Sequence, residues 1–525
     1  MPDASSVANQ RPPTAPAFSP RAIAHVAAQP RETVRVIRSR ANGGIGVALE
    51  NANLENAETI GTLPPLYPEW LGHRGFASKF GTRFAYVGGA MANGIATTRM
   101  VIELARAGCL GFFGAAGLSL SRIEAAISEL RSALGEPVLP WGVNLIHSPA
   151  EPEHEAAVAD LLIRADVRCV EASAYLRLTP AVVRYACSGL TRDNDGRTQR
   201  RHRVIAKVSR TEVARQFLSP PPAAILDALR VRGGLTPEEV ELAAQLPLVE
   251  DITCEADSGG HTDNRPLSVL LPEIAALCAR LGSDARVGAA GGLGTPTAVA
   301  AAFALGADYV QTGSINQSCI ESGLSASARA QLAQADMADV AMAPAADMFE
   351  MGVDVQVLRR GTLFAPRARK LYELYRSYPS LAAIPPEERE KVESTYLRAT
   401  FAQAWASTRE FWARRDPQQV ARAERDPKHQ MALVFRSYLG LASRWAIDGL
   451  SERSADYQIW CGPAMGAFNT WVKGSFLEPV ENRRVAQVAL NLLEGAAAIT
   501  RAQQLRSYGV PVPASAFDYR PRVLG

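Results

Sequence analysis

Residues 287–314 read Val-Gly-Ala-Ala-Gly-Gly-Leu-Gly-Thr-Pro-Thr-Ala-Val-Ala-Ala-Ala-Phe-Ala-Leu-Gly-Ala-Asp-Tyr-Val-Gln-Thr-Gly-Ser. A short apolar run ends in Gly291-Gly292-Leu293-Gly294. Thr295 is then placed to cap a helix that has Pro296 at its first position and Gly306 just past its end. A second apolar run follows and ends in Gln311-Thr312-Gly313-Ser314. The pattern is strand, glycine turn, helix, strand, glycine turn. Two such turns at the carboxyl ends of adjacent strands are where barrel enzymes commonly seat a phosphate group. No Lys or Arg lies between Arg286 and Arg329. A phosphate here would therefore be held by backbone N–H groups, by the Thr312 or Ser314 hydroxyl and by helix N-termini, with glycines letting the main chain come close.

Working outward, the same alternation extends back to Arg83. Eight apolar runs are legible, near Phe84–Val87, Leu110–Gly114, Val138–Leu145, Cys169–Glu171, Val204–Val208, Asp251–Glu255, Arg286–Ala289 and Tyr309–Thr312. Helix-like segments, such as Thr97–Ala107 and Arg122–Ala133, separate most of them. Strands alternating with helices pair in parallel, and eight units are the number that closes a (β/α)8 TIM barrel. An open doubly wound sheet is the alternative; the lack of a GxGxxG after the first strand weighs against it.

The expected organisation has three parts. Residues 1–60 read as a flexible Pro/Ala-rich leader and lead-in, with Pro2, Pro12, Pro13, Pro16, Pro20 and Pro30 and no apolar signal-peptide core; a transit peptide is the minor alternative. Residues 61–345 form the barrel. An insertion near 209–247 contains Pro220–Pro222, Gly233-Gly234 and the helix start Thr236-Pro237-Glu238-Glu239. The stretch Thr191–Arg203, with five arginines, reads as a solvated loop. Residues 346–525 read as an additional C-terminal helical region packed on the barrel.

Composition excludes several classes of function. Of 525 residues, 47% are hydrophobic and 21% charged, and 56 Lys and Arg against 53 Asp and Glu give a net charge of +3. That balance argues against a nucleic-acid binder, and no apolar window is long enough for a membrane span. Seven scattered cysteines without a CxxC pair make neither a disulfide framework nor a zinc site, so no metal is expected and a cytoplasmic setting is.

Other candidates ring the same barrel end. Gly88, Gly89, Ala90 and Met91 place small residues after strand one, suited to a planar ring system against the backbone. Asn144 lies on strand three, and Lys207 ends strand five, where its ammonium could face the mouth. Glu255-Ala256-Asp257-Ser258-Gly259-Gly260-His261 follows strand six. An imidazole there could transfer a proton or donate a hydrogen bond near neutral pH. Cys319 is read as a buried thiol on a helical turn, with a nucleophile as the alternative.

These motifs resemble a known family. Gly291–Pro296, Gln311–Ser314 and Gly259-Gly260-His261 look like the FMN-binding barrels of the nitronate monooxygenase and enoyl-reductase superfamily. The resemblance is closer to the PfaD-type trans-acting enoyl reductases of polyunsaturated-fatty-acid synthases and trans-acyltransferase polyketide synthases. It extends through Asp347–Gly352, Gln356–Gly361, Lys370–Tyr375 and Asp456–Asn469, covering about residues 65–505. One departure from the nitronate pattern is Asp257-Ser258 ahead of the Gly-Gly-His, so a general-base role is not carried over from that pattern.

The resemblance implies FMN as cofactor, NADPH as co-substrate and an enoyl thioester on an acyl carrier protein as substrate. Hydride from flavin N5 would add to the β-carbon, leaving charge on the thioester oxygen and a proton to be delivered to the α-carbon. His261 and then Lys207 are the candidates for that work. Synthase components are the expected partners and a homodimer the expected oligomer. Residues 346–525 carry 25 Lys and Arg against 19 Asp and Glu, a surface expected to complement an acidic carrier. Two rivals remain: a nitronate monooxygenase acting on a small nitroalkane, and a non-catalytic scaffold subunit.

Overall fold

The computed structural model describes residues 15–135 and 139–525. Eight parallel strands, Tyr86–Gly88, Leu110–Phe113, Trp141–Ile146, Cys169–Ser173, Arg203–Val208, Asp251–Glu255, Arg286–Ala290 and Tyr309–Thr312, pair in chain order. The eighth closes on the first through Gln311 opposite Val87 and Thr312 opposite Gly88. The strands are almost wholly buried, as expected when helices cover one face and the barrel core the other. All eight expected strands are present; Val138, expected to begin the third, lies outside the described residues.

Local sequence signals place the flanking elements. The hydroxyl of Thr295 accepts from the Ala298 N–H at 3.2 Å and caps helix Pro296–Ala304. Thr236 and Glu239 form a reciprocal capping box at helix Pro237–Ala243. That helix is the last of three short ones, after Thr211–Phe217 and Ala223–Val231, filling the long connection between strands five and six.

One expectation is corrected. Residues 15–60 are not a flexible lead-in. Helix Pro20–Ala27 and strands Val34–Ser39, Ile45–Leu49 and Ala57–Leu63 form a small lobe with an antiparallel sheet. Pro20 sits at the first helical position, which tolerates it. Ile23, Val34, Val36 and Val47 pack against Ala502 and Leu505. Arg501 ties the lobe to the barrel by donating to the Pro30 and Pro64 carbonyls. Pro2, Pro12 and Pro13 lie outside the described residues.

Residues 346–525 are the expected helical region packed on the barrel, and they also contribute one strand. Strand Asp354–Leu358 pairs antiparallel with Val340–Pro344 and with Gly260–His261. After strand eight the chain enters a short turn, Ser314–Ser318, instead of a covering helix. The eighth covering helix comes from the far end of the chain: Val485–Ser507 packs against both Pro296–Ala304 and Thr98–Arg106. At its middle, a side chain on Gly495 would stand 2.7 Å from Pro296, so glycine permits the close approach. The helical region is therefore an insertion between the barrel's last strand and its last helix. Its core elements are Phe364–Ser377, Phe401–Arg415 and Pro427–Asp448, with a separate apolar core around Phe349, Leu371, Val434 and Phe435.

Candidate active site

A cavity of about 850 Å³ opens at the carboxyl ends of the strands, roofed in part by the insertion. Gly89, Ala90, Met91, Asn144, Lys207, Gly260, His261, Gly291, Gly292, Gln311, Thr312, Gly313 and Ser314 all line it. Gly88 and Gly294 do not. A side chain on Gly88 would lie 2.2 Å from Leu104 Cδ1, and one on Gly294 would lie 2.2 Å from the Ala464 carbonyl. Both glycines serve packing behind the site.

The turns after strands seven and eight have the character of an anion cradle. Gly291 and Gly292 adopt φ +86° and +73°, the left-handed region that glycine enters without cost. The N–H groups of Gly292, Leu293 and Gly313 meet no acceptor among the described residues. A side chain on Gly292 or Gly313 would meet nothing within 4 Å, so both face open space. Helix Pro296–Ala304 starts beside them. Arg286 is occupied elsewhere, paired with Asp251 at 2.6 Å. The Thr312 hydroxyl is also committed, to Tyr86 at 2.5 Å and to Asn316, and Ser314 accepts from the Gly462 N–H at 3.2 Å. The cradle is thus mainly backbone, and it fits a phosphate monoester.

Two charged groups, Lys207 and Glu255, line the cavity floor, and a third, Glu171, lies buried behind it. Glu171, fully buried, accepts from the Ala90 N–H at 3.1 Å and from Gln311 Nε2 at 2.7 Å. Asn144 Nδ2 donates to the Glu171 carbonyl at 3.1 Å and to Ser173 Oγ at 3.0 Å. Lys207 Nζ lies 2.9 Å from Glu255 and 3.9 Å from Glu171. Burial disfavours the ammonium, but the two carboxylates outweigh it and its pKa rises above the ordinary lysine value. Burial pushes Glu171 upward as well, against the pull of Lys207. Lys207 is therefore a fixed cation and a poor proton donor near neutral pH. A side chain on Gly89 would stand 2.5 Å from Gln311 Nε2, which keeps this wall flat.

His261 Nε2 lies 3.2 Å from Asp347 Oδ1. Pairing of Gly260–His261 with strand Asp354–Leu358 brings the two segments together. Desolvation works against the imidazolium, but Asp347 and then Glu255 more than compensate, so the His261 pKa is raised. Asp347 is correspondingly held below the usual carboxylate range despite its own desolvation.

Sequence reading missed several of these groups. Glu171 had a signal, a lone acid within the apolar strand Cys169-Val170-Glu171-Ala172. Asp347 and Trp460, which line the cavity, lie in stretches that carry the family resemblance but were given no role, while Arg436 and Trp412 had no signal. Cys319 is fully buried with its thiol pushed up by burial, as the structural reading expects. Among the described residues no group of His, Cys, Asp and Glu is placed to hold a metal, and no helix is long and apolar enough to cross a membrane.

Comparison with known proteins supplies the family. Residues 77–368 match the nitronate monooxygenase family, and residues 378–457 match the inserted helical domain of [acyl-carrier-protein] S-malonyltransferase. The second span coincides with much of the insertion. The chain is 45% identical over 467 residues to a polyunsaturated fatty acid synthase subunit of Thraustochytrium sp., covering 86% of this chain and 31% of that one. It is 42% identical to polyketide biosynthesis protein PksE of Bacillus subtilis, covering 84% and 58%. It thus spans less than two thirds of either relative. The solved enoyl reductase domain of MlnA, from the macrolactin cluster of Bacillus amyloliquefaciens, superposes with TM-score 0.79 at 37% identity, over 84% of this chain and 99% of that one. On these likenesses the chain belongs to the nitronate monooxygenase family and is similar throughout to the enoyl reductase domain of MlnA.

Proposed function

We propose that the protein reduces the 2,3 double bond of enoyl thioesters borne on an acyl carrier protein, with FMN as cofactor and NADPH as reductant. The observation that carries this reading is a backbone anion cradle opening into the same cavity as the His261–Asp347 pair. The free N–H groups of Gly292, Leu293 and Gly313 suit one terminal phosphate, which favours FMN over a dinucleotide. Gly89, Ala90 and Met91 supply a flat wall for the ring system, and Gln311, Asn144 and Lys207 supply polar groups around it.

When bound, the flavin supplies hydride. The protein's side chains handle the charge and the proton. Hydride addition at the β-carbon of an enoyl thioester leaves negative charge on the thioester oxygen and requires a proton at the α-carbon. His261, whose imidazolium form Asp347 favours, is the donor, a role worth roughly 10²–10⁴-fold in rate. Lys207 acts as a fixed positive charge that stabilises anionic character nearby. All seven cysteines are buried and unpaired, which suits a reducing cytoplasm.

The test is an anaerobic NADPH-oxidation assay comparing an enoyl-pantetheine thioester with a nitroalkane. Turnover of the thioester supports the proposal. Activity confined to the nitroalkane, in air, supports the oxygenase reading. A protein that holds no flavin supports the scaffold reading.

A further inference from the structure

We infer that Arg436, on the inserted helix Pro427–Asp448, is a positioning residue for the His261–Asp347 pair. Asp347 sits in the connection between strands Val340–Pro344 and Asp354–Leu358, outside any helix or strand. Arg436 grips that connection on both sides of it. Its Nε donates to the Ala346 carbonyl at 2.8 Å, and its Nη1 lies 3.3 Å from Glu350 Oε1 and 3.5 Å from Oε2. The guanidinium lies 5.7 Å from the Trp412 ring centroid and its side chain is only 11% exposed, so the fork has a fixed seat. A planar fork can hold a carbonyl and a carboxylate at once, which an ammonium cannot. Through this grip, the insertion sets where the Asp347 carboxylate stands relative to His261.

The inference rests on the reading of His261 as proton donor given above. The charged groups around the pair are few. Asp347, Glu255 and Lys207 act on His261, and His261 and Arg436 act on Asp347. On the far side, His429 Nδ1 lies 3.8 Å from Glu350 Oε1. Burial lowers the His429 pKa, so it adds no charge at neutral pH. Arg436 is thus the cation of this group that comes from the insertion. It also explains why the insertion is more than a cover: without it, the loop carrying Asp347 loses its anchor.

The test reads the His261 imidazole directly, by ¹³C-histidine NMR titration of the full-length protein, with the resonance assigned by its loss in His261→Ala. Arg436→Met keeps the packing on Trp412 but removes the fork. It is expected to lower the His261 pKa by about one unit, the size of a lost neighbouring carboxylate. Asp347→Asn is expected to do the same. The double variant is expected to go no further than Asp347→Asn alone, because both act on one contact. Arg436→Lys restores the charge without the fork and is expected not to rescue. An unmoved titration in Arg436→Met, additive shifts in the double variant, or full rescue by Lys would each overturn the inference. If the Met variant does not fold, the Lys variant decides alone. The titration needs no enoyl substrate, so a wild-type protein that reduces no thioester would sink the proposed function while leaving this inference to stand or fall on the NMR.

Discussion

Nε2 of His261 stands 3.2 Å from Oδ1 of Asp347, although the two residues are 86 apart in the chain. The contact raises the pKa of a histidine that lines the cavity. A raised pKa keeps the imidazolium populated above its ordinary range, and the charged form is lost as pH rises through the raised value. Enoyl reduction should therefore fall on the basic side at the His261 pKa. Asp347→Asn should move that fall to lower pH, and steady-state rates from about pH 6 to 9, spanning the ordinary histidine value and above, check it. A basic limb that stays where it is would mean His261 does not deliver the proton.

His261→Ala should lower enoyl reduction by at least about a hundredfold, the low end for a lost proton donor. Reduction of the flavin by NADPH involves no thioester and should be affected less. Stopped-flow absorbance separates the two half-reactions. Equal losses in both would make His261 a cofactor-seating residue.

Gly313→Val should give folded protein that purifies without flavin. Gly313 has φ −134°, outside the left-handed region, and a Cβ there meets no protein atom within 4 Å. The added methyls can obstruct only what enters the cradle. Gly292 has φ +73°, so Gly292→Val adds backbone strain of about 1–2 kcal/mol to the same obstruction. Flavin absorbance and thermal unfolding of both variants distinguish the effects, and full flavin retention by Gly313→Val would remove the cradle from the phosphate site.

Lys207→Met should destabilise the fold by about 3–5 kcal/mol, the usual cost of leaving buried carboxylates without their counter-ion. Glu171 is fully buried and the Lys207 side chain is only 12% exposed. Combining Lys207→Met with Glu171→Gln and Glu255→Gln should recover much of the loss, because the uncompensated charges go too. Urea unfolding measures each variant, and a Lys207→Met protein as stable as wild type would mean water already solvates the carboxylates.

Gly294→Ala should cost about 1–3 kcal/mol through overpacking. The added carbon would lie 2.2 Å from the Ala464 carbonyl, forcing the turn after strand seven away from helix Ala464–Val472. Urea unfolding measures this one too, and an unchanged midpoint would show that the turn shifts freely.

The barrel was legible in the sequence because its signals are local. Apolar runs of three to eight residues, several of them followed by glycine, need only their neighbours to declare themselves. For the same reason the turns at Gly291–Gly294 and Gln311–Ser314 could be read as one site from 28 consecutive residues. Pro20 and Pro30 misled the reading of the first sixty residues, since proline at a helix start and proline in a loop look alike without a partner surface. The packing of Val34 and Val36 on Ala502 and Leu505 that makes the small lobe cannot be seen from either end of the chain.

Tertiary structure alone decided three things. Val485–Ser507 became the barrel's eighth helix because the groove between Pro296–Ala304 and Thr98–Arg106 needs an apolar helix and the segment after strand eight supplies none. Asp347 met His261 because two strands distant in sequence paired, and backbone pairing carries no side-chain code that a single sequence displays. Lys207, near the end of its strand, was turned from a candidate acid into a fixed cation by Glu255 and Glu171 from neighbouring strands. Periodicity along the chain determines which segments become strands and helices. Which side chains then share a cavity, and at what charge, follows from contacts between segments far apart in the sequence.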